Sequence, residues 1–335
     1  MNLLEKYQWL FMIIAIFFGL ALGQVEGIAG TASYFIVPFL MVMLFGTFLQ
    51  VQFASIKKGF MNVKVAGLSL IINFIWTPLL AFCLSYIFLR HNPDLYVALI
   101  MDMVTPCTDW YLVFTSLAGG NVALSTTLLP WNLAFQLVLM PVYLLIFAGA
   151  VVEIQPFIFL QSFFRVLFIP LIAAILIKKF IILLKDEDWF DNKILVNVGT
   201  FQAIFLILAI TAMFASQGSI LVENIWILLK LLIPVTLFFI INFVVGQAVS
   251  RLFKLSYGEG VSLIITTLAR NAPLALTIAI VVFPDRPLIP LVLAIESLIE
   301  LPILFIISQI LLLIYRRKWW PEPEYHGETF FDTGE

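Results

Sequence analysis

The sequence predicts an all-helical integral membrane protein with ten transmembrane helices, arranged as two inverted repeats of five in which helices 4 and 9 are broken. Of the 335 residues, 63% are hydrophobic and only 11% are charged. A soluble domain carries about 25% charged residues, so most of this chain must face the lipid bilayer or other membrane helices. The apolar residues also form ten long runs, and the basic residues between the runs are distributed unevenly.

A helix needs about 20 apolar residues to cross a bilayer. The first run is expected to stay in the mature protein, because the N-terminal MNLLEKYQ lacks the basic run of a signal peptide. A polar tail at 318–335, which contains Pro321 and Pro323, is expected to be disordered. The predicted spans are 8–25, 33–53, 65–89, 96–117, 121–149, 157–183, 194–215, 224–250, 257–283 and 287–315.

The charge distribution predicts that both termini are cytoplasmic. With a cytoplasmic N-terminus, only Arg90 and Arg286 fall on the outside, and an excess of Lys and Arg marks cytoplasmic links. Trp319 and Trp320 follow the last basic cluster, as in an interfacial aromatic belt. The inside segments carry 13 of the 18 basic residues: Lys6, Lys57, Lys58, Lys64, Lys178, Lys179, Lys185, Lys193, Arg251, Lys254, Arg316, Arg317 and Lys318.

Five spans per half give the two halves opposite orientations, so we expect one repeat at 1–150 and its inverted counterpart at 151–317. The sequence Ile-Ile-Asn-Phe occurs at Ile71–Phe74 in the third span and at Ile240–Phe243 in the corresponding eighth span. The corresponding fourth and ninth spans are both interrupted, at Thr105–Asp109 and at Ala269–Pro273.

A proline inside a span removes a backbone hydrogen bond that lipid cannot replace. Pro78, Pro170 and Pro234 need be no more than tolerated kinks. Paired breaks at equivalent places in inverted halves, however, indicate a transporter's binding site near the middle of the bilayer. Polar residues gather at both breaks, which favours a binding site there.

Ionisable residues inside a membrane are costly and are candidates for function. Arg270 lies in the second break and is a candidate for the site, together with its neighbour Asn271. Asp102 and Asp109 flank the first break, where they have either a direct role or a structural pairing role. The remaining cations, Arg165 and Lys230, are expected to snorkel or to form structural pairs.

Glu296 and Glu300 are four residues apart, which places both carboxyl groups on one face of the tenth helix. Two neighbouring acids in a medium of low dielectric constant cannot both ionise cheaply, so this pair is a candidate proton carrier. The alternative is that one glutamate only neutralises Arg270 or Arg165.

Cys107 lies inside the first break, and its thiol is a candidate ligand for a soft substrate, although a small buried Cys is usually a packing residue. Cys83 has no such surroundings and is expected to pack. Two cysteines exclude a disulfide scaffold or a Cys-rich metal site. No metal or cofactor is predicted, and the net charge of −2 offers no surface for nucleic acid.

Several segments of the chain resemble the arsenite efflux permeases of the Acr3 type, which belong to the bile acid:sodium symporter superfamily. The resemblance extends over about residues 5–317 and implies panel and core domains with crossing broken helices. It also implies that Cys107 and Glu300 are essential. The residues that carry it are Pro106-Cys107-Thr108, Leu-Ala-Gly-Gly-Asn at 117–121, Asn132, Gln136, Pro141 and Leu298-Ile299-Glu300-Leu301-Pro302.

The chain also departs from the patterns of these families. Sodium-coupled members resemble Glu-x-Gly-x-Gln-Asn at the ninth-span break, where this chain has Thr266 in place of the acid and Arg270 in place of the glutamine. This difference argues against sodium coupling. Arsenite permeases have an acid after the Asn of this break, where this chain has Pro273, and Asp109-Trp110-Tyr111 replaces their apolar run.

Three hypotheses of function follow. The first is efflux of trivalent arsenic, as arsenite with antimonite as a further substrate, by proton antiport across the cell membrane. The second is a sodium- or proton-coupled carrier of an organic anion, held by Arg270 and the half-helix N-termini. The third, an enzyme, is disfavoured, since both His residues lie outside the spans and the chain has no HExxH or P-loop pattern.

Overall fold

A computed structural model describes residues 8–25, 27–50, 63–108, 110–149, 156–223 and 225–320. These residues are almost entirely helical, and a single β-bridge is present among them. The helices are α1 (Gln8–Leu22), α2 (Ile28–Gln50), α3 (Val63–Leu89), α4 (Pro93–Met103), α5 (Trp110–Leu117), α6 (Val122–Ala148), α7 (Pro156–Leu184), α8 (Val196–Glu223), α9 (Ile225–Leu252), α10 (Tyr257–Leu268), α11 (Ala272–Val282) and α12 (Leu288–Arg316). A helical turn at Glu187–Phe190 and a π-helical turn at Asp191–Leu195 lead directly into α8.

The helices correspond to the predicted spans, which confirms the all-helical membrane class. Seven helical stretches within the described ranges are long and apolar enough to cross a bilayer. The first span is the shorter helix α1, and the fourth and ninth spans are each two short helices, α4 with α5 and α10 with α11. Both predicted breaks are therefore present. The division into inverted halves near residue 150 stays a prediction.

The second span begins five residues earlier than predicted, at Ile28 rather than at residue 33. The hydroxyl groups of Thr31 and Ser33 donate to the carbonyl oxygens of Gly27 and Gly30, at 3.0 and 2.7 Å. Because these polar groups are satisfied within the turn, they do not end the helix. Residues 51–53, the predicted end of this span, lie outside the described residues, as does most of the predicted tail.

The helices pack as two groups. In the first, which we call the panel, α8 packs along α1 and α2, and α2 packs on α7. The second group, the core, contains α3 to α6 and α9 to α12, in which α4 packs on α3 and α12, and α10 packs on α9. The groups meet where α11 contacts α2 and α7. This is the arrangement that the family resemblance implies.

The outward faces of the helices carry large apolar side chains, such as Phe17 and Leu183, as expected for surfaces in contact with lipid. Arg165 and Lys230 are also exposed on their helices. They therefore do not contribute charge to the interior of the core.

The C-terminal end of α12 is attached to the start of α10 through Trp320. Its indole N–H donates to the carbonyl oxygen of Leu255 at 3.1 Å, and its ring meets that of Tyr257 edge-on, with centroids 5.5 Å apart. The ring also lies against Gly260, where a Cβ atom would overlap it. The prediction of an interfacial belt fits the exposed Trp319 but is wrong for Trp320, which is buried.

Candidate functional site

The two breaks cross each other in the centre of the core and pair through their backbones. Pro106 and Arg270 form an antiparallel β-bridge. The N–H of Cys107 donates to the carbonyl oxygen of Ala269 at 2.9 Å, and the N–H of Asn271 donates to the carbonyl oxygen of Thr105 at 2.7 Å. Each break thus provides hydrogen-bond partners for backbone groups of the other break. Irregular backbone within a membrane requires such partners.

The local sequence determines where each half-helix starts and stops. Pro106 lacks an N–H group and cannot continue α4, whereas Pro273 occupies the first turn of α11, where no N–H partner is needed. The Asn271 side chain caps α11 by accepting the Leu274 N–H at 3.3 Å, and its amide donates to the Thr108 hydroxyl at 3.2 Å. One side chain therefore connects the helix cap to the opposite break.

Arg270 is 1% exposed, and its guanidinium group donates to oxygens of the surrounding backbone. Nε donates to the carbonyl oxygen of Leu268 at 3.1 Å, and Nη1 donates to that of Met103 at 2.9 Å. Nη2 donates to the carbonyl oxygen of Thr267 and to Oδ1 of Asn73 at 3.2 Å. The guanidinium carbon also lies 5.4 Å from the centroid of the Phe238 ring. Arg270 thus caps the C-terminal ends of both α4 and α10.

Asn73 links the arginine to a second polar group beside the crossing. Its side-chain amide donates to the carbonyl oxygen of Thr266 at 3.3 Å and lies 3.5 Å from Oδ1 of Asn132. Asn132 donates to the Thr266 hydroxyl at 3.0 Å. Asn73 was not predicted as a site residue, although it belongs to the Ile-Ile-Asn-Phe sequence shared by the two halves. Asn242 of the second copy has a different partner, since its side chain accepts from the Trp76 indole at 2.9 Å.

The acids predicted on the tenth span lie on the buried face of α12. One carboxylate oxygen of Glu300 accepts the backbone N–H of Arg270 at 2.7 Å. Glu296 is one turn away, and neither of its carboxylate oxygens has a hydrogen-bond partner among the described residues. Asp102, at the end of α4, is also buried. The crossing therefore brings Arg270 together with Glu300.

A cavity of about 290 Å³ separates the panel from the core and reaches the crossing. Thr108, Asn271 and Pro273 line its core side. On the panel side Gln202 donates to the Thr47 hydroxyl at 2.7 Å and accepts from the amide of Gln50. Among the described residues, none of those that line the cavity carries a charge.

Comparison with known proteins identifies the family. A model of the Sodium Bile acid symporter family matches residues 37–224, which is more than half of the chain. The chain belongs to this family. It is similar to the Arsenical-resistance protein Acr3 of Corynebacterium glutamicum, with 28% identity over 90% of this chain and 87% of the relative.

Two further relatives of this chain align with it over nearly the whole of their length. The Arsenical-resistance protein Acr3 of Alkaliphilus metalliredigens is 22% identical over 95% of this chain and 94% of its own. An uncharacterized transporter of Synechocystis sp. is 23% identical over 92% of this chain and 88% of its own. Together with the membrane-spanning helices, these matches make the protein a multi-pass membrane transporter.

The cysteines of this symporter-family member occupy different surroundings. Cys107 is 3% exposed, lies at the crossing and precedes the cavity-lining Thr108, but does not itself line the cavity. Cys83 is exposed on α3. Asp109, a predicted supporting residue, lies outside the described residues.

The two supporting residues predicted on α6 are both buried. Asn132 joins the network around Thr266, as described above. Gln136 lies one turn further along, and its amide oxygen and nitrogen find no hydrogen-bond partner in the part of the chain that the structure describes. The roles of both residues stay predictions.

Proposed function

We propose that this transporter exports trivalent arsenic as arsenite, with antimonite as a further substrate, in exchange for protons. The observation that carries the proposal is the cavity that ends at the crossing, whose lining among the described residues is uncharged. Its polar side chains are hydroxyl and amide groups, which can both donate and accept hydrogen bonds. Arsenite is mostly a neutral hydroxide at pH 7, so it needs such groups and no fixed charge.

The position of Cys107 supports a soft-ligand role. Trivalent arsenic favours thiolate ligands, and Cys107 is the residue next to Thr108 at the end of the cavity. In our proposal arsenite first binds to the hydroxyl and amide groups, and a movement of the crossing relative to the panel then exposes the thiol. The names of the two Acr3 relatives agree with this substrate.

The alternative, an organic anion held by Arg270, has less support. All the hydrogen bonds of the Arg270 guanidinium described above are made to protein oxygens, and Arg270 is not among the residues that line the cavity. An anion at this arginine would have to displace the bonds that hold the two breaks together.

Proton coupling through Glu300, with Glu296 as its neighbour, is the second part of the proposal. Glu300 is bonded directly to the crossing, so a change in its charge alters the contacts of Arg270. Thr266 stands where sodium-coupled members have an acid. Near it, oxygens of Asn73 and Thr267 accept hydrogen bonds from the guanidinium and are therefore not open to a sodium ion. We place the protein in the cell membrane with both termini in the cytoplasm.

The substrate is tested by measuring arsenite uptake into everted membrane vesicles, which corresponds to export from the cell. Cys107→Ser should reduce uptake to the background of vesicles without the transporter, because the hydroxyl is a poor ligand for arsenic. Cys83→Ser is the matched control and should retain uptake. Equal behaviour of the two variants at equal abundance would contradict the thiol role.

The coupling ion is tested in the same vesicles by imposing pH and sodium gradients separately. Uptake should follow the pH gradient and persist when choline replaces sodium. Glu300→Gln mimics a permanently protonated acid and should abolish net uptake, whereas Glu296→Gln should shift its pH dependence less severely. Uptake that ignores the pH gradient and stops without sodium would refute proton coupling.

A further inference from the structure

The buried charges of the core do not balance. Among the described residues, the buried side chains of the Asp, Glu, Lys, Arg and His types are those of Asp102, Glu296, Glu300 and Arg270, and each is at most 5% exposed. Arg270 is the only cation in this set. If all three acids were ionised, the group would carry a net charge of −2 in the interior of a membrane protein, where uncompensated charge is costly.

Hydrogen bonds bring the backbone beside Asp102 and the side chain of Glu300 to the same arginine. The Arg270 guanidinium donates to the carbonyl oxygen of Met103, the residue that follows Asp102, while the Arg270 backbone N–H donates to Glu300. Helix α12, which carries Glu296 and Glu300, packs against α4, which carries Asp102. The three carboxyl groups are therefore buried on two helices that pack against each other.

Two of the three acids have carboxyl oxygens without hydrogen-bond partners. Both oxygens of Glu296 and Oδ1 of Asp102 have none in the described part of the chain. An ionised carboxylate that is buried without donors pays most of its desolvation cost uncompensated, whereas a protonated carboxyl group does not. Glu300 differs, because it accepts the Arg270 N–H.

The neighbouring elements supply no second buried cation within the part of the chain that the structure describes. The helices packed against α4 or α12 are α3, α5, α6, α9, α10 and α11 of the core, and α1 and α8 of the panel. The cations on these helices and on α12 are exposed, namely Lys64, Lys230, Arg251 and Arg316. The other titratable side chains described on the core helices and at the first break are Cys83, Tyr86, Asp94, Tyr96, Cys107, Tyr111, Tyr143, Tyr257, Glu259 and Tyr315.

We propose that Asp102 is the third member of the coupling site, and that Asp102, Glu296 and Glu300 together hold two protons because Arg270 balances the third charge. This inference deepens the proton-coupled part of the proposed function and rests on it for its role in transport. For these described residues the number of protons follows from charge alone: it equals the number of buried acids minus one.

The rule is tested without substrate by infrared spectroscopy of the purified full chain in lipid vesicles, in which protonated carboxyl groups are counted from their carbonyl stretch at neutral pH. The wild-type protein should show two. Asp102→Asn should show one, and Asp102→Asn combined with Glu296→Gln should show none. Arg270→Gln should show three.

Asp94→Asn is the matched control, since Asp94 lies on the same helix as Asp102 but is partly exposed and paired with Arg286 at 2.6 Å. It should leave the count unchanged. A wild-type count of none or one, or an unchanged count in Asp102→Asn, overturns the proposal. If Asp102→Asn does not fold, the proton count is tested on the wild-type protein and on Glu296→Gln, which should show two and one protonated carboxyl groups.

Transport gives a second readout, in proteoliposomes held at zero membrane potential. The measured quantity is the ratio of arsenite concentrations across the membrane at which net flux stops. For each unit of pH difference across the membrane, this ratio should be about a hundredfold if two protons are exchanged and about tenfold if one is. Asp102→Asn should change the first value to the second, and an unchanged hundredfold ratio would exclude Asp102. Absence of any arsenite flux would contradict the proposed substrate, while the infrared count would still decide the protonation rule.

Discussion

Arg270 lies in the core without a carboxylate within 4.0 Å of its guanidinium group, as far as the described residues show, and backbone carbonyl oxygens make the direct contacts with this group. Those carbonyls belong to the last turns of α4 and α10, where the helix dipole carries a partial negative charge. Two helix ends therefore stabilise one cation. The planar fork of the guanidinium can reach several oxygens at once, which a lysine ammonium cannot do.

At the scale of the residue, we therefore predict that Arg270→Lys destabilises the protein by about 3 kcal/mol or more, since buried carbonyls lose their donors. The midpoint of thermal unfolding in detergent measures this loss. Arg286→Lys is the control, because its ion pair with Asp94 is partly exposed and such pairs contribute about 0–1 kcal/mol. Equal shifts in the two variants would show that the guanidinium geometry is unimportant.

At the scale of the element, the start of α11 depends on one side chain with two partners. Asn271→Ala removes the cap and should cost about 1 kcal/mol, and it should also weaken transport by removing the bond to Thr108. Asn271→Asp keeps an acceptor for the cap but loses the donor to Thr108. It should therefore recover stability, measured by thermal unfolding, without recovering arsenite uptake.

The capping residue of α6 provides the control for this prediction. Asn121 accepts the Leu124 N–H at 3.0 Å, as Asn271 does for its own helix, but it does not line the cavity. Asn121→Ala should lose similar stability and keep arsenite uptake. If Asn271→Asp transported as well as the wild type, the contact with Thr108 would have no role in binding.

Elements with a strong local signal could be predicted from the sequence. Length and hydropathy predicted the spans, and Pro106 and Pro273 marked both breaks, because proline constrains its own turn whatever surrounds it. The pairing of the breaks could not be predicted, because it joins backbone groups more than 160 residues apart that carry no sequence signal. Asn73 and Trp320 were missed for the same reason, since their partners are backbone carbonyl groups and distant side chains.

At the scale of the whole molecule, the cavity lies toward one side of the membrane. Gln50 is the last residue of α2, and Val196 is the first of α8, and both line the cavity. The distribution of basic residues predicts that these helix ends are cytoplasmic. The structure therefore represents a state that faces the cytoplasm if the predicted orientation holds.

Cysteine labelling tests this orientation. In a chain that lacks both native cysteines, Gln202→Cys and Thr108→Cys should react with a membrane-impermeant maleimide in everted vesicles and not in intact cells. Arg90→Cys, in a predicted outside link, should show the opposite pattern. If the cavity positions were labelled in intact cells, either the orientation would be opposite to the predicted one or the cavity would open on the outer side.

The backbone bridge between the breaks also has a consequence for biosynthesis. When the ribosome has released only the first five spans, the Cys107 N–H and the Thr105 carbonyl lack the backbone bonds that they make in the finished protein, because Ala269 and Asn271 lie in the ninth span. An unpaired backbone group costs several kcal/mol in hydrocarbon. The nascent first half must therefore keep this stretch hydrated or folded differently, and the site can take its final form only when the ninth span has entered the bilayer.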